Sequence, residues 1–304
     1  MRIRFVGALV ALIFFNSLGT AVAHTIEERK RDLRVELSKK FDPAWITNIF
    51  NHQNLCEGRA VENPGLKSWN ALENSIMSDV SLLRGEMFFR SNESRFRKAA
   101  SVHKDDAFLP FILLAILRIE SNLGENRAGD PVIALLFEKY RKVADGPSGN
   151  KRRGEILTKE IVPFLSMAAT NSWDVCGVLG SRAAAFGYPH FIPESIRLAV
   201  DGDGDGKIDL MWNVDDALAS VANYLSRAGW GKTDASRITA VFNYNPLKAL
   251  RDRKADHRYV QIVFRYARKL QEKIDRPSAT RAGSFYFLPM TLFPASTIDF
   301  TSIL

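Results

Sequence analysis

Glu120 is the first candidate for acid–base chemistry, because it stands where a nearly continuous apolar segment ends. That segment, 107–119, reads AFLPFILLAILRI, and the glutamate is followed by Ser121. A carboxyl group at the edge of a hydrophobic core loses hydration, which disfavours its charged form and suits it to act as a general acid near neutral pH. The alternative is an exposed carboxylate that pairs with Arg118 or caps a turn, and position alone leaves both interpretations open.

An acidic, glycine-rich stretch at 201–209 is the candidate metal site. Its sequence, DGDGDGKID, has carboxylates at positions 1, 3 and 5, glycine at position 6 and an apolar residue at position 8. This is the front half of an EF-hand calcium loop. The pattern fails at position 12, where Trp212 replaces the usual glutamate, so Asp215 or Asp216 would have to close a longer loop. A solvated acidic turn is the alternative.

Two further segments carry side chains that could contact a ligand. The stretch 180–193 (GSRAAAFGYPHFIP) combines small residues, which permit close backbone approach, with the hydrogen-bonding side chains of Ser181, Tyr188 and His190. The stretch 242–246 (FNYNP) is an aromatic–amide turn that suits sugar faces and hydroxyl groups. An ordinary packing loop and a structural turn would have similar sequences.

Several other kinds of site are absent from the sequence. The five histidines are scattered without an H-x-x-x-H pair, which argues against a zinc hydrolase. There is no G-x-S-x-G elbow, P-loop or dinucleotide-binding fingerprint. Cys56 and Cys176 have no metal-binding spacing; they could form one disulfide in an oxidising compartment or remain two buried thiols, and we favour the disulfide.

The composition is that of a globular protein. The 304 residues are 46% hydrophobic, 25% charged and 11% aromatic, enough for one large or two modest cores. This excludes a disordered, collagen-like or disulfide-dense chain. Lys and Arg outnumber Asp and Glu by 42 to 34, so the net charge is +8. Such a surface suits an anionic polymer.

The N-terminus predicts export. Arg2 and Arg4 precede an apolar run at 5–15 and small residues that end at Ala23, so 1–23 is interpreted as a signal peptide. The run is too short to span a bilayer, and no lipid-anchoring cysteine follows it. We expect a soluble periplasmic or secreted protein with no transmembrane segment after cleavage. For an exported protein we expect the anionic partner to be the cell wall. Nucleic acid and lipid are the alternatives, and only the positive net charge supports them.

The elements that must position these residues are predicted to be mainly helical. The segment 107–119 is apolar on nearly all sides and should be the central helix. The charged segment 25–40 should be a solvated helix, and the segment 144–150 should be a surface loop. Inward-facing side chains of 85–103 would be Met87, Phe88, Phe89 and Phe96. The helices expected are 25–40, 44–53, 85–103, 107–119, 154–170, 214–228 and 255–274. They would form one domain over 24–275, with 24–104 as part of it, followed by an extended C-terminal tail at 276–304.

In order along the chain, these segments resemble the membrane-bound lytic murein transglycosylase B family. The resemblance covers roughly 105–275 and is strongest over 180–230. It is carried by Ile119-Glu-Ser121, the aromatic–basic FEKYR ending at Arg141, the 180–195 loop, the acidic stretch 201–209, and WNVDDALASVANY at 212–224 followed by Gly229-Trp230.

This resemblance implies a mainly α, lysozyme-like fold and an enzyme acting on peptidoglycan. Such an enzyme cleaves the β-1,4 bond between N-acetylmuramic acid and N-acetylglucosamine and leaves a 1,6-anhydromuramyl end. Glu120 would act first as acid and then as base, with no cofactor for catalysis. The implied partners are glycan strands, with no nucleic acid, and the enzyme would be monomeric.

The resemblance also assigns binding residues. The glycan groove would be lined by Ser121, Arg141, Ser181, Tyr188, His190, Tyr224, Tyr244 and Asn245. A structural Ca²⁺ in the EF-hand-like loop would be held by Asp201, Asp203, Asp205, the carbonyl of Lys207, and either Asp215, which loop spacing prefers, or Asp216, which the downstream motif aligns.

Three departures from the family pattern bear on activity. Pro189-His190 replaces a Gly-Gln pair, Ala184 replaces a glycine, and Lys142 replaces a second arginine. Pro189 lacks a backbone donor, whereas His190 can still form hydrogen bonds. These changes predict altered subsite preference or reduced activity. The alternative function is therefore a weakened homologue that binds peptidoglycan or acts as a scaffold.

Overall fold

The computed structural model describes residues 24–51, 56, 68–104, 106–126, 129–245 and 258–275. Within these ranges the chain is mainly helical, which confirms the predicted class. The α-helices, in chain order, are α1 (Ile26–Ser38), α2 (Pro43–Asn51), α3 (Trp69–Ile76), α4 (Asp79–Ser91), α5 (Glu93–Ala100), α6 (Leu109–Ser121), α7 (Val132–Arg141), α8 (Pro147–Ile156), α9 (Val162–Asn171), α10 (Val214–Arg227), α11 (Asp234–Tyr244) and α12 (Arg258–Asp275).

Short non-α elements connect these helices. A π-helical segment, Leu157–Ile161, joins α8 to α9, and a 3-10 helix spans Pro193–Leu198. Strand β1 (Asp130–Pro131) pairs antiparallel with β2 (Leu179–Gly180). The proposed signal peptide at 1–23 and tail at 276–304 lie outside the described residues. No helix in the described ranges combines the length and apolar character that a membrane crossing requires.

Helix α6 is the buried centre of the first apolar cluster. Every one of its side chains is buried, as the sequence predicts, and α12, α5, α4 and α10 pack around it. Pro110 occupies its first turn, where a missing N–H costs nothing. The helix ends in consecutive left-handed residues, Asn122, Leu123 and Gly124. It runs two residues beyond the predicted end, so Glu120 lies within its last turn.

The second apolar cluster lies around α1, α2, α7 and α9. The predicted helix at 25–40 is confirmed. The prediction that it is solvated is wrong on one face, because Leu33 and Leu37 are completely buried. Arg29 is buried as well and forms an ion pair with Asp145, which also lies 3.4 Å from a terminal nitrogen of Arg153. A buried arginine is tolerated here because its charge is paired.

The predicted helix at 85–103 is two helices. The break comes at Asn92, whose side-chain amide donates to the Phe88 carbonyl at 2.9 Å and ends α4. The change of direction lets Phe96 of α5 stack on Phe89 with ring centroids 5.0 Å apart. Met87, expected to face inward, is 55% exposed. Local asparagine hydrogen bonding, which competes with helix continuation, therefore overrides the apolar pattern.

The stretch at 144–150 is only partly a loop. Helix α8 begins at Pro147, so the helical region starts seven residues before the predicted 154 and continues through the π segment to Asn171. Proline fits the first turn of a helix because the first amide groups have no intrahelical partner. The turn-rich composition reflects a helix start as much as a loop.

Cys56 and Cys176 form a disulfide, with their Cα atoms 5.2 Å apart. The bridge ties the chain after α2 to the segment that precedes β2 and closes a sequence separation of 120 residues. A crosslink over so long a separation restricts the unfolded chain more than the folded one.

We predict that C56S/C176S lowers the free energy of unfolding by about 2–5 kcal/mol, the usual cost of losing a native disulfide. Urea denaturation of the oxidised protein and the double variant measures this difference. Wild-type protein treated with reductant is the matched control, and its urea midpoint should equal that of the variant. Identical midpoints for oxidised wild type and variant would contradict the prediction.

Candidate active site

Glu120 is the focus of a buried polar cluster at the end of α6. Its side chain is only 2% exposed. Its Oε1 accepts hydrogen bonds from the Tyr259 hydroxyl at 2.6 Å and from Nδ2 of Asn245 at 3.2 Å. The donors come from α12 and the end of α11, 139 and 125 residues further along the chain. The exposed, Arg118-paired alternative for this glutamate is wrong, because Arg118 donates to Ser81 instead.

The other carboxylate oxygen of Glu120 faces His190. Nδ1 of His190 lies 3.4 Å from Oε2, and the imidazole side chain is 6% exposed. This nitrogen is buried without a hydrogen bond of good geometry. The two oxygens of Glu120 therefore meet different surroundings, neutral donors at Oε1 and an imidazole at Oε2.

A wall of aromatic rings stands beside this cluster. The rings of Tyr224 and Tyr244 are 4.8 Å apart, and Phe191 lies 5.6 Å from Tyr224. The Tyr244 hydroxyl donates to the Pro189 carbonyl at 2.6 Å, and that of Tyr224 donates to the Asn243 carbonyl at 3.0 Å. The Tyr224–Tyr244 pair is edge-to-face, one of the favourable arrangements of aromatic rings.

Burial keeps the tyrosine hydroxyls protonated. It raises the pKa of Tyr244 and Tyr259 well above the ordinary value, and Glu120, when it is ionised, raises the pKa of both further. Burial also raises the pKa of Tyr224. A hydroxyl in this state remains a neutral hydrogen-bond donor at neutral pH.

The loop at 180–191 is held by its own hydrogen bonds. Ser181 donates its backbone N–H to the Ala185 carbonyl at 2.9 Å, and its hydroxyl accepts from the Ala185 N–H at 3.3 Å. Ala184 has a left-handed φ of 60° where the family pattern has glycine. Ser181 and His190 line a cavity of about 120 Å³, together with Met211 and Trp212.

Ser121 and Tyr188 shape the turn beside Glu120. The buried Ser121 hydroxyl accepts from the Gly124 N–H at 3.0 Å and donates to the Leu117 carbonyl at 3.2 Å. Tyr188 lies against the bare backbone of Gly124, whose φ is 81°. Ser121 thus stabilises the helix end, and Gly124 leaves room for the tyrosine ring.

The structure brings most, but not all, of the predicted groove residues together. His190 and Asn245 each contact Glu120, and Tyr244 and Tyr224 adjoin this group. Arg141 instead ends α7, where it pairs with Glu138 at 2.5 Å, and no described contact joins it to the cluster.

Tyr259 is the site residue that sequence reasoning missed. It lies on the apolar face of the predicted 255–274 helix, alongside Ile262, Val263 and Tyr266. A tyrosine on such a face needs a hydrogen-bond partner when it is buried, and that requirement was the available signal.

The acidic loop places three carboxylates together. Asp201, Asp203 and Asp205 each offer an oxygen within 4.8 Å of the others. Both oxygens of Asp201 accept backbone N–H groups, those of Gly204 at 2.7 Å and Gly206 at 2.8 Å. Clustered carboxylate oxygens are the donor type that Ca²⁺ prefers, so these residues fit the ion chemically.

The two candidates for closing the loop differ in their surroundings. Asp216 is 1% exposed, and its carboxylate accepts the N–H groups of Gly202 at 2.7 Å and Asp209 at 2.6 Å. Burial is the main reason that the pKa of Asp216 is raised, and the neighbouring Asp203 and Asp201 add to it. Asp215 lies 3.2 Å from Nε of Arg95.

The pKa of Asp203 is lowered, whereas that of Asp216 is raised. The side-chain amide of Asn213 donates to Asp203 at 2.9 Å and is the main cause of its lowered pKa. Asn213 also caps α10 by accepting from the N–H groups of Asp215 and Asp216. The loop and the helix that follows it are therefore built as one unit.

Comparison with known proteins identifies the family. The model of the Transglycosylase SLT domain family matches residues 29–290. This chain belongs to that family. Membrane-bound lytic murein transglycosylase B of Escherichia coli strain K12 is 30% identical over 178 residues. That alignment covers 57% of this chain and 45% of the E. coli protein, so it spans less than half of the relative's length.

Solved structures agree with this SLT-family assignment at the level of fold. The E. coli lytic transglycosylase Slt35, in complex with bulgecin A, superposes with a TM-score of 0.64 at 18% identity, covering 82% of this chain and 94% of its own. Soluble lytic transglycosylase SltB1 from Pseudomonas aeruginosa gives 0.61 at 19% identity, with 81% and 99% covered. The resemblance inferred from the sequence is confirmed.

We predict that Gly124→Ala is strongly destabilising, because the added methyl group would collide with the Tyr188 ring. Gly229→Ala is the matched control: Gly229 also has a positive φ, 94°, but has nothing within 4 Å of the added carbon. The control should lose about 1–2 kcal/mol from backbone strain. Gly124→Ala should lose about 1–3 kcal/mol more from overpacking. If urea denaturation shows that both variants lose the same free energy of unfolding, the close approach of Tyr188 to Gly124 would be contradicted.

Proposed function

We propose that this chain is a peptidoglycan lytic transglycosylase. It cleaves the β-1,4 bond between N-acetylmuramic acid and N-acetylglucosamine and leaves a 1,6-anhydromuramyl end. The observation that carries the proposal is the buried Glu120 carboxyl, fixed at one oxygen by Tyr259 and Asn245. The name of the E. coli relative supports the substrate class. So does a P. aeruginosa relative of the same fold, SltB3, whose structure holds NAG-NAM-pentapeptide.

In this mechanism one carboxyl group performs both proton transfers. Glu120 gives its proton to the oxygen of the leaving N-acetylglucosamine as the glycosidic bond breaks. The carboxylate then takes the proton of the muramyl 6-hydroxyl while that oxygen attacks the anomeric carbon. The nucleophile comes from the substrate itself, so the second carboxylate that hydrolysing glycosidases need is not required.

The surroundings of Glu120 favour this cycle. Burial disfavours a charged carboxylate, so the proton is retained until a leaving oxygen can accept it. When the carboxylate forms, the Tyr259 hydroxyl and the Asn245 amide stabilise it at Oε1, because hydrogen bonds to a charged acceptor are strong. In this mechanism Oε2 carries the proton that is transferred.

The groove and location follow from the same proposal. Ser181, Tyr188, His190, Tyr224 and Tyr244 would contact the glycan through the loop and the aromatic wall. Ser121 would act by stabilising the turn. Arg141 would contact glycan beyond the cluster. The apolar leader at 1–23 would direct the chain to the periplasm or outside the cell, where a soluble monomer would meet peptidoglycan.

We predict that Glu120→Gln lowers anhydromuropeptide release by about 10²–10⁴-fold, the usual contribution of a general acid. Mass spectrometry of soluble products from purified peptidoglycan measures this release. Glu125→Gln, an exposed position five residues further along, is the matched control and should remain active.

Two results would contradict the proposed activity. Reducing-end muropeptides would indicate hydrolysis with another acid, such as Asp174. Retention of native protein on peptidoglycan without soluble product would support the binding or scaffolding alternative, which the departures at Ala184, Pro189 and His190 favour.

We also propose that the acidic loop binds a structural Ca²⁺. Asp201, Asp203, Asp205 and the Lys207 carbonyl would hold the ion, with Asp215 or Asp216 completing the site. The ion would offset the mutual repulsion of the carboxylates. A structure of E. coli Slt35 determined in complex with calcium supports the choice of ion.

Chelation should therefore lower the melting temperature, and excess Ca²⁺ should restore it. Ca²⁺ at a hundred times its dissociation constant contributes about 2.7 kcal/mol, which corresponds to a rise in melting temperature of about 4 °C for a chain of this size. Calorimetry with and without chelator measures the shift. Asp203→Asn should reduce it, whereas Asp234→Asn, at the start of α11, should not. An unchanged melting temperature on chelation would argue against the site.

A further inference from the structure

We propose that His190 is a positioning residue that controls the proton of Glu120. This role rests on the proposed function and goes beyond contact with glycan. The imidazole lies beside Oε2, the oxygen to which the proposed mechanism assigns the transferred proton. The site is then active when Glu120 holds the proton and His190 is neutral, and protonation of His190 inactivates it.

The geometry separates the two ends of the Glu120 carboxyl. Oε1 is taken by Tyr259 and Asn245, while Nδ1 of His190 lies 3.4 Å from Oε2. Both side chains are almost fully buried, at 6% and 2% exposure. A buried ring nitrogen without a well-formed hydrogen bond is costly.

The backbone fixes the imidazole in this position. His190 has a φ of 53°, a left-handed conformation that is uncommon outside glycine. Its N–H donates to the Gly187 carbonyl at 3.1 Å, and the Tyr244 hydroxyl anchors the preceding Pro189 carbonyl at 2.6 Å. A strained conformation persists only where its surroundings determine it, and such positions concentrate at active sites.

Among the described residues, tyrosines are titratable neighbours of the pair. Tyr244 of α11 and Tyr259 of α12 would interact with the charge of an ionised Glu120, and the Tyr224 ring of α10 packs against that of Tyr244. Burial raises the pKa of all three, so they stay uncharged through the neutral range. Tyr188 lies on the loop itself. On α6, the Arg118 side chain points to Ser81, away from the pair.

A positive imidazole would oppose the reaction in two ways. A cation beside Oε2 favours the carboxylate and so removes the acid. It also repels the positive charge that develops on the sugar in an oxocarbenium-like transition state. In the active cycle the proton leaves Oε2 for the leaving oxygen and returns to Oε2 from the 6-hydroxyl. His190 neither gains nor loses a proton over the cycle.

The kinetic test compares the pH dependence of kcat/KM in the full chain and in His190→Gln. Glutamine retains hydrogen bonding but cannot become charged, whereas an imidazole can gain a proton and a positive charge. We expect the rate at pH 5, relative to that at pH 7.5, to be about tenfold higher in the variant, even though its overall rate falls. His103→Gln, remote and bonded to Ser226, is the control and should leave the ratio unchanged. Equal ratios in wild type and His190→Gln would overturn the proposal.

A spectroscopic test does not depend on turnover. In ¹⁵N-histidine-labelled full-length protein, Glu120→Gln should change the Nδ1 signal of His190 and leave that of His103 unaltered. If the His190 signal is unchanged, His190 does not interact with Glu120 as proposed, even if the enzyme is active. If the signal changes but no anhydromuropeptide is ever released, the pair stands and the proposed function fails.

Discussion

The site depends on one constraint, the placement of a carboxyl group in the last turn of a helix with no solvated face. Every side chain of α6 is buried, so Glu120 can obtain its hydrogen bonds only from protein. Those donors, Tyr259 and Asn245, come from elements more than a hundred residues away. A buried polar group without partners is expensive, and this requirement ties α11 and α12 to the end of α6.

The loop at 180–191 contacts Glu120 on the side opposite Tyr259 and Asn245. It brings His190 to the second oxygen of Glu120 and packs Tyr188 against Gly124. Its left-handed residues, Ala184 and His190, are held by backbone bonds within the loop and by the Tyr244 hydroxyl. Two of the departures from the family pattern, Ala184 and His190, are therefore in left-handed conformations within a hydrogen-bonded loop.

The acidic loop is linked to the fold through α10. Asp216 joins the loop's two ends by accepting from Gly202 and Asp209, and Asn213 both caps the helix and contacts Asp203. Helix α10 packs against α5 and α11, and Tyr224 on it belongs to the aromatic wall. Order in the loop is thereby connected to the position of the wall beside Glu120.

Local sequence is enough to predict the helical class, the central apolar helix, the position of Glu120 at its end and the spacing of the acidic loop. Each of these follows from periodicity or from neighbours within about a dozen residues. Three further features come from tertiary packing: the burial of one face of α1, the formation of the disulfide, and the hydrogen bond from Tyr259 to Glu120. Such features depend on contacts between distant segments, and a buried group takes whichever partner the packing brings within hydrogen-bond distance, which no local pattern records.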